Sequence, residues 1–96
     1  MPKGYWIAQI DITDPEPFKS YAAGATDAVN KHGGRYLARG GKVQALEGPA
    51  RGRNVVIEFP TFQAAVDCFN SPEYQAAKAH RDGHCVAQFL VVEGME

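Results

Sequence analysis

Ninety-six residues make one domain, residues 1–96, and a chain this short buries only about 60–65% of the surface it exposes when unfolded. Hydrophobic residues at 45% and charged residues at 22% exclude a disordered polar chain, and a formal net charge of -1 excludes a broadly polyanion-seeking surface. No apolar run nears the ~18 residues of a membrane span, and the opening Met-Pro-Lys-Gly-Tyr-Trp lacks the apolar core of a signal peptide; no membrane association and a cytoplasmic location are therefore expected.

Gly4 to Ile12 alternates with a period of two, which predicts a strand with Trp6, Ala8, Ile10 and Ile12 on one face and Tyr5, Ile7, Gln9 and Asp11 on the other. Asp14-Pro15-Glu16 then supplies an N-cap, a first-turn proline and an acid near the positive end of the helix dipole. Phe18, Tyr21, Ala22, Ala25, Ala28, Val29 and His32 follow at spacings of three and four, a stripe on a helix ending at Gly33-Gly34. A long second strand is predicted from Arg35 to Glu47, with a bulge or bend at Gly40-Gly41. After the turn residues Gly48 to Gly52, Arg53 to Phe59 predicts a third strand. Thr61 caps a second helix that Ser71-Pro72-Glu73 restarts and Gly83 stops, with Tyr74, Ala77, Lys78 and Arg81 sharing a face. His84 to Val92 is the last predicted strand.

The order β-α-β-β-α-β predicts an α+β, ferredoxin-like fold: a four-stranded antiparallel sheet with two helices on one face. The last strand is apolar on both faces, Val86, Leu90 and Val92 against Ala87, Phe89 and Val91, and Ile7 lies among the polar residues of the first strand. A sheet apolar on both faces needs a second cover, and a second copy of the same sheet about a two-fold axis supplies it, so a homodimer is expected.

Four blocks of sequence carry a family resemblance: KGYWIAQIDITDPEPFKSY, GGRYLARGGKVQALEG, RNVVIEFPTFQAAVDCFNSPEYQAAKAHR, and a valine-rich strand closing on Glu93-Gly94. Together they resemble domain-of-unknown-function family 1330, in the dimeric α+β barrel superfamily. The combined spacing of Arg39-Gly40-Gly41, Glu47-Gly48, Arg53 and Ser71-Pro72-Glu73-Tyr74 is the specific part. The resemblance implies a homodimer whose two sheets form a barrel, with a cleft in each protomer between sheet and helices. It implies no activity. Superfamily relatives include cofactor-free oxygenases, lactone isomerases and haem-handling proteins, but a shared fold is a weak warrant for chemistry.

Arg39 lies in an otherwise apolar strand segment beside the glycine break, and Glu58 lies between Ile57 and Phe59 in the neighbouring strand. Charges in strand cores need partners, so the two are expected to pair, either as a structural ion pair or as an anion site with Arg39 clamping a carboxylate. Tyr74 and Arg81 are seven apart, two turns along one helix face, and are expected to approach the same cleft unless Arg81 is a solvated helix-end residue. Arg53 and Glu47 flank the hairpin turn, where a surface or intersubunit salt bridge is expected. Tyr5, Trp6, Tyr21 and Tyr36 read as core or interface aromatics, or as the walls of a cleft for a flat ligand.

His80 and His84 are four apart, but Gly83 ends the helix between them, so no metal site is expected. Cys68 and Cys85 lack C-x-x-C spacing and read as reduced thiols. No cofactor motif is present. RNA-recognition domains share this strand order, but RNVVIEF lacks their glycine and alternating aromatics and places an acid where phosphate would sit, so nucleic acid is not an expected partner. Two function classes follow: an oxygenase- or isomerase-like enzyme acting on a small acidic or aromatic metabolite, or a non-catalytic ligand sensor or structural dimer module.

Overall fold

Period-two alternation in the first residues becomes strand β1, Gly4–Ile12, with Trp6, Ala8 and Ile10 buried and Tyr5, Ile7 and Gln9 turned to the opposite face. The computed structural model describes residues 1–95. Helix α1 spans Pro15–Lys31 and buries Phe18, Tyr21, Ala25, Ala28 and Val29, most of the predicted stripe. Asp14 occupies the N-cap position, yet its carboxylate makes no cap hydrogen bond and instead lies 3.5 Å from His84 Nδ1. At the other end Gly33 takes φ +77°, and the Gly34 N–H reaches back to the Val29 carbonyl at 2.8 Å, the paired reversal that ends a helix on glycine.

Strand β2 covers only Arg35–Arg39, which corrects the expectation of a strand running to Glu47. The register gives the reason. Arg39 lies opposite Val55, and its partner β3 (Arg53–Phe59) begins two residues earlier, so the chain beyond Gly41 has no strand left to pair with. Gly40 turns out at φ +69° and residues 40–50 are exposed. The bulge also sits elsewhere than expected: the register slips between Tyr36 and Ala38, not at Gly40-Gly41.

The second helical segment is two helices. Helix α2 (Phe62–Asn70) starts on Thr61, whose hydroxyl accepts from the Ala64 N–H at 3.0 Å. Helix α3 (Pro72–Ala79) starts on the buried Ser71, whose hydroxyl accepts from Tyr74 N–H and donates to the Cys68 carbonyl. Strand β4, Cys85–Glu93, closes the fold. The sheet order is β2-β3-β1-β4, antiparallel throughout, the ferredoxin-like arrangement.

Trp6 anchors the core. Its ring centroid lies 5.0 Å from Tyr74, 5.2 Å from Phe59 and 6.0 Å from both Phe69 and Phe89, and its indole N–H donates to the Ala65 carbonyl. Helix α1 presses on α3 at Gly24, where an added Cβ would come 2.9 Å from the Ala77 Cβ. The face of the sheet away from the helices is apolar in one continuous row. Ala38, Val56, Ile7 and Leu90 are successive cross-strand partners over all four strands, beside a polar row of Asn54, Gln9 and Gln88.

Candidate functional site

Helix α1 lies close to α3 but meets the sheet through large side chains, and this leaves a cleft beneath it. Its walls are aromatic: Trp6, Phe18, Tyr21, Tyr36 and Phe89. Its free volume is about 20 Å³, room for one water molecule. Two guanidinium groups, Arg39 and Arg53, complete the lining, which contains no aspartate, glutamate or histidine. Arg53 and Ile10 also border a shallow open basin of about 380 Å³ at the end of the sheet, shared with Asp11, Gly40 and Gly52. A separate recess of about 170 Å³ between α2 and β4 is larger but has no charged side chain.

Arg39 stacks 4.2 Å above the Tyr36 ring and donates from Nη2 to Thr26 Oγ1 at 2.6 Å. Arg53 lies 5.5 Å from the Phe18 ring centroid, and its buried Nε–H has no acceptor. Gly40 passes directly over it: a Cβ there would stand 2.6 Å from Arg53 Nη1, which the flexible side chain could yield to, so it is the positive φ of +69° that favours glycine here. Among the described residues neither guanidinium has a carboxylate within salt-bridge distance.

A third guanidinium lies on the α3 side. Arg81 is only 6% exposed, donates from Nη2 to the Tyr74 hydroxyl at 3.3 Å, and lies against the faces of Tyr21 (5.1 Å) and Phe89 (4.6 Å). Tyr74 is in turn 2.8 Å from the Tyr21 hydroxyl. Burial pushes the Tyr21 and Tyr74 pKa values up, so both phenols keep their protons at neutral pH; the hydrogen bonds that a Tyr74 phenolate would accept from Tyr21 and Arg81 oppose its shift without cancelling it. Desolvation is the largest influence on Arg81 and disfavours its charge, but the hydrogen bond to Tyr74 and the electrostatic influence of Tyr74, Tyr21 and Cys85 together outweigh it and raise its pKa.

The family model of the domain of unknown function DUF1330 matches residues 3–95. The chain belongs to the DUF1330 family. Among solved structures it is similar to a protein of unknown function from Rhodopseudomonas palustris (16% identity, 99% of this chain and 84% of that one, TM-score 0.78). It is also similar to the cofactor-independent oxygenase SnoaB from Streptomyces nogalater (9% identity, 100% and 96% covered, TM-score 0.64). A third is a dimeric ferredoxin-like protein of unknown function from Thermobifida fusca (17% identity, 95% and 92% covered, TM-score 0.61). At these identities the likeness is one of fold. No curated protein matches the sequence.

In this DUF1330 protein the four residues singled out from sequence divide. Arg39 lines the cleft; Tyr74 and Arg81 contact each other behind its Tyr21 wall; Glu58 is on the opposite face of the sheet. The expected Arg39–Glu58 pair is therefore corrected: Glu58 accepts from Arg35 at 3.3 Å and Lys3 at 3.4 Å. The cause is the bulge. Tyr36 faces Ile57, and an unbroken register would set Arg39 opposite Asn54, on the Glu58 face; the slip at Leu37 moves it opposite Val55, onto the helix face. For Arg53 a surface or intersubunit salt bridge was expected; within the chain, among the described residues, it makes none, and it continues the inward phase of Val55, Ile57 and Phe59. That phase was readable in RNVVIEF and is the signal that would have put Arg53 in the cleft. Among the described residues no group of three or more potential metal ligands gathers, and no helix is long and apolar enough to cross a membrane.

Proposed function

We propose that this DUF1330 protein is a homodimeric binding module for a small aromatic carboxylate, held in the cleft between α1 and the sheet, and that the whole chain acts as one domain. The observation that carries the reading is the pairing of an aromatic slot with two guanidinium groups that lack carboxylate partners, one with a buried N–H and no acceptor. Buried polar groups are nearly always satisfied, so an orphaned guanidinium N–H beside a cleft favours a ligand acceptor. Arg53 borders both the narrow cleft and the outer basin, so a shift of its side chain joins the two and admits the ligand. Arg39 and Arg53 then take the carboxylate and the rings take the aromatic body.

The cleft favours binding over oxygenase- or isomerase-like turnover. Its lining offers donors but no carboxylate or imidazole to remove a proton, and burial keeps the Tyr21 phenol protonated. The apolar row Ala38–Val56–Ile7–Leu90 supports a second copy as the cover of the open face, and a fold neighbour from Thermobifida fusca is described as dimeric. Two free thiols suit a reducing compartment such as the cytoplasm.

Thermal-shift and calorimetric titration with benzoate, against neutral benzamide, tests the binding reading. Benzoate is expected to raise the melting temperature and benzamide not to; Arg53→Met is expected to remove the protection, and Arg39→Met to weaken it. Equal protection by the two compounds, or benzoate binding unchanged in both variants, would overturn it.

A further inference from the structure

We propose that Arg81 is a positioning residue which, through Tyr74, aims the Tyr21 hydroxyl proton into the cleft, where it donates to a second ligand oxygen, a ketone or phenolic oxygen across the ring from the carboxylate. The inference rests on the cleft being the binding site, and adds to it the substituent that the ligand carries at its far end.

The direction of the hydrogen bonds follows from donor counting. A guanidinium can only donate, so the Arg81–Tyr74 contact makes the Tyr74 oxygen an acceptor. The Tyr74 proton must then go somewhere, and its hydroxyl has one other partner among the described residues, the Tyr21 oxygen at 2.8 Å. If Tyr21 donated to Tyr74 instead, the Tyr74 proton would be left without an acceptor on a fully buried side chain, which costs the desolvation of that group. With Tyr74 donating to Tyr21, the Tyr74 proton is used, and the buried donor left without an acceptor on the α3 side is the Arg81 Nε–H. The Tyr21 proton is then left to turn toward the cleft that Tyr21 lines. Each link also polarises the next, from cation to phenol to phenol, so the terminal donor is stronger than an isolated tyrosine.

The chain accounts for a cation otherwise hard to place. Arg81 is nine-tenths buried, has no carboxylate within salt-bridge distance among the described residues, and is held by one phenol oxygen and two aromatic faces. An unpaired buried charge is expensive, so Arg81 depends on the Tyr74 oxygen and the two aromatic faces that hold it.

The test compares 4-acetylbenzoate with 4-isopropylbenzoate, nearly the same in shape and differing in the carbonyl oxygen, by calorimetric titration of the whole protein. The parent is expected to favour the acetyl compound by about tenfold, the worth of one good hydrogen bond. Tyr21→Phe should bring the ratio to about one, and Tyr74→Phe and Arg81→Met should each cut it severalfold while 4-isopropylbenzoate binding stays near the parent value. The ratio is insensitive to a general loss of stability, and if Arg81→Met does not fold, Tyr74→Phe, which keeps its core ring, decides. Equal binding of the two compounds by the parent overturns the donor chain and leaves the cleft reading intact. A preference unchanged in Tyr74→Phe overturns the part assigned to Tyr74 and Arg81. If neither compound binds the parent, the cleft reading fails and the donor chain fails with it.

Discussion

Leu90→Asp is the substitution that most directly tests the proposed homodimer across the open face. In the single chain Leu90 is 54% exposed, Val86 50% and Val92 46%, so roughly half of each side chain remains to be buried by a partner. At about 1.5–3 kcal/mol for full burial of such a side chain, each contributes about 1 kcal/mol on pairing. Three residues, doubled by a two-fold axis, give roughly 6 kcal/mol before Ile7 and Val56 are counted. The substitution removes about 2 kcal/mol of this per dimer and places two carboxylates in an apolar seam, at several kcal/mol each. A total above about 5 kcal/mol weakens association by more than about a thousandfold. In the free protomer the same aspartate is half in water, so the monomer should still fold. Sedimentation velocity at micromolar concentration should show the parent at twice the 10.4 kDa chain mass and Leu90→Asp at the chain mass, with unchanged far-ultraviolet dichroism. A parent that sediments at 10.4 kDa, or a variant that remains dimeric, would refute the reasoning.

Arg39 and Glu58 lie on opposite faces of the sheet, so Arg39→Met and Glu58→Gln should be additive in unfolding free energy to within about 0.5 kcal/mol in a double-mutant cycle. The Glu73 carboxyl, hydrogen-bonded by Lys31 and by its own N–H at the start of α3, is lowered from 4.5 to about 2. The unfolded chain therefore binds the proton first, and this contribution is full above pH 4.5 and lost as pH falls toward about 2. Glu73→Gln should flatten that part of the acid dependence of the melting temperature, and a slope equal to that of the parent would count against the Lys31–Glu73 contact. Cys68 is buried, and burial followed by the nearby Glu73 charge pushes its thiol up to about 12. A disulfide exchange reagent at pH 8 should modify Cys85 in the native protein and Cys68 only on unfolding.

Strands β1 and β3 and the two serine and threonine caps were legible because each rests on a local signal: period-two alternation in GYWIAQIDI and RNVVIEF, and hydroxyls placed before helical runs. The helix stripe over Phe18 to Val29 was legible for the same reason. Composition also exposed the two-sided apolar character of β4, because Val86, Leu90 and Val92 alternate with Ala87, Phe89 and Val91 whatever the strand packs against. Tyr74 and Arg81 meet as their spacing suggested, although α3 ends at Ala79 rather than running to Gly83: Arg81 lies in the turn that follows, where its N–H still reaches back to the Lys78 carbonyl. Everything that needed a neighbouring strand was decided by the tertiary structure. The length of β2 depended on where β3 begins, and the face of Arg39 depended on a one-residue slip at Leu37, which no local preference marks. With a side-chain period of two, that single residue separates Arg39 from Glu58 and delivers it to the cleft with Arg53, so the sequence determined which charges exist and the cross-strand register determined which of them meet.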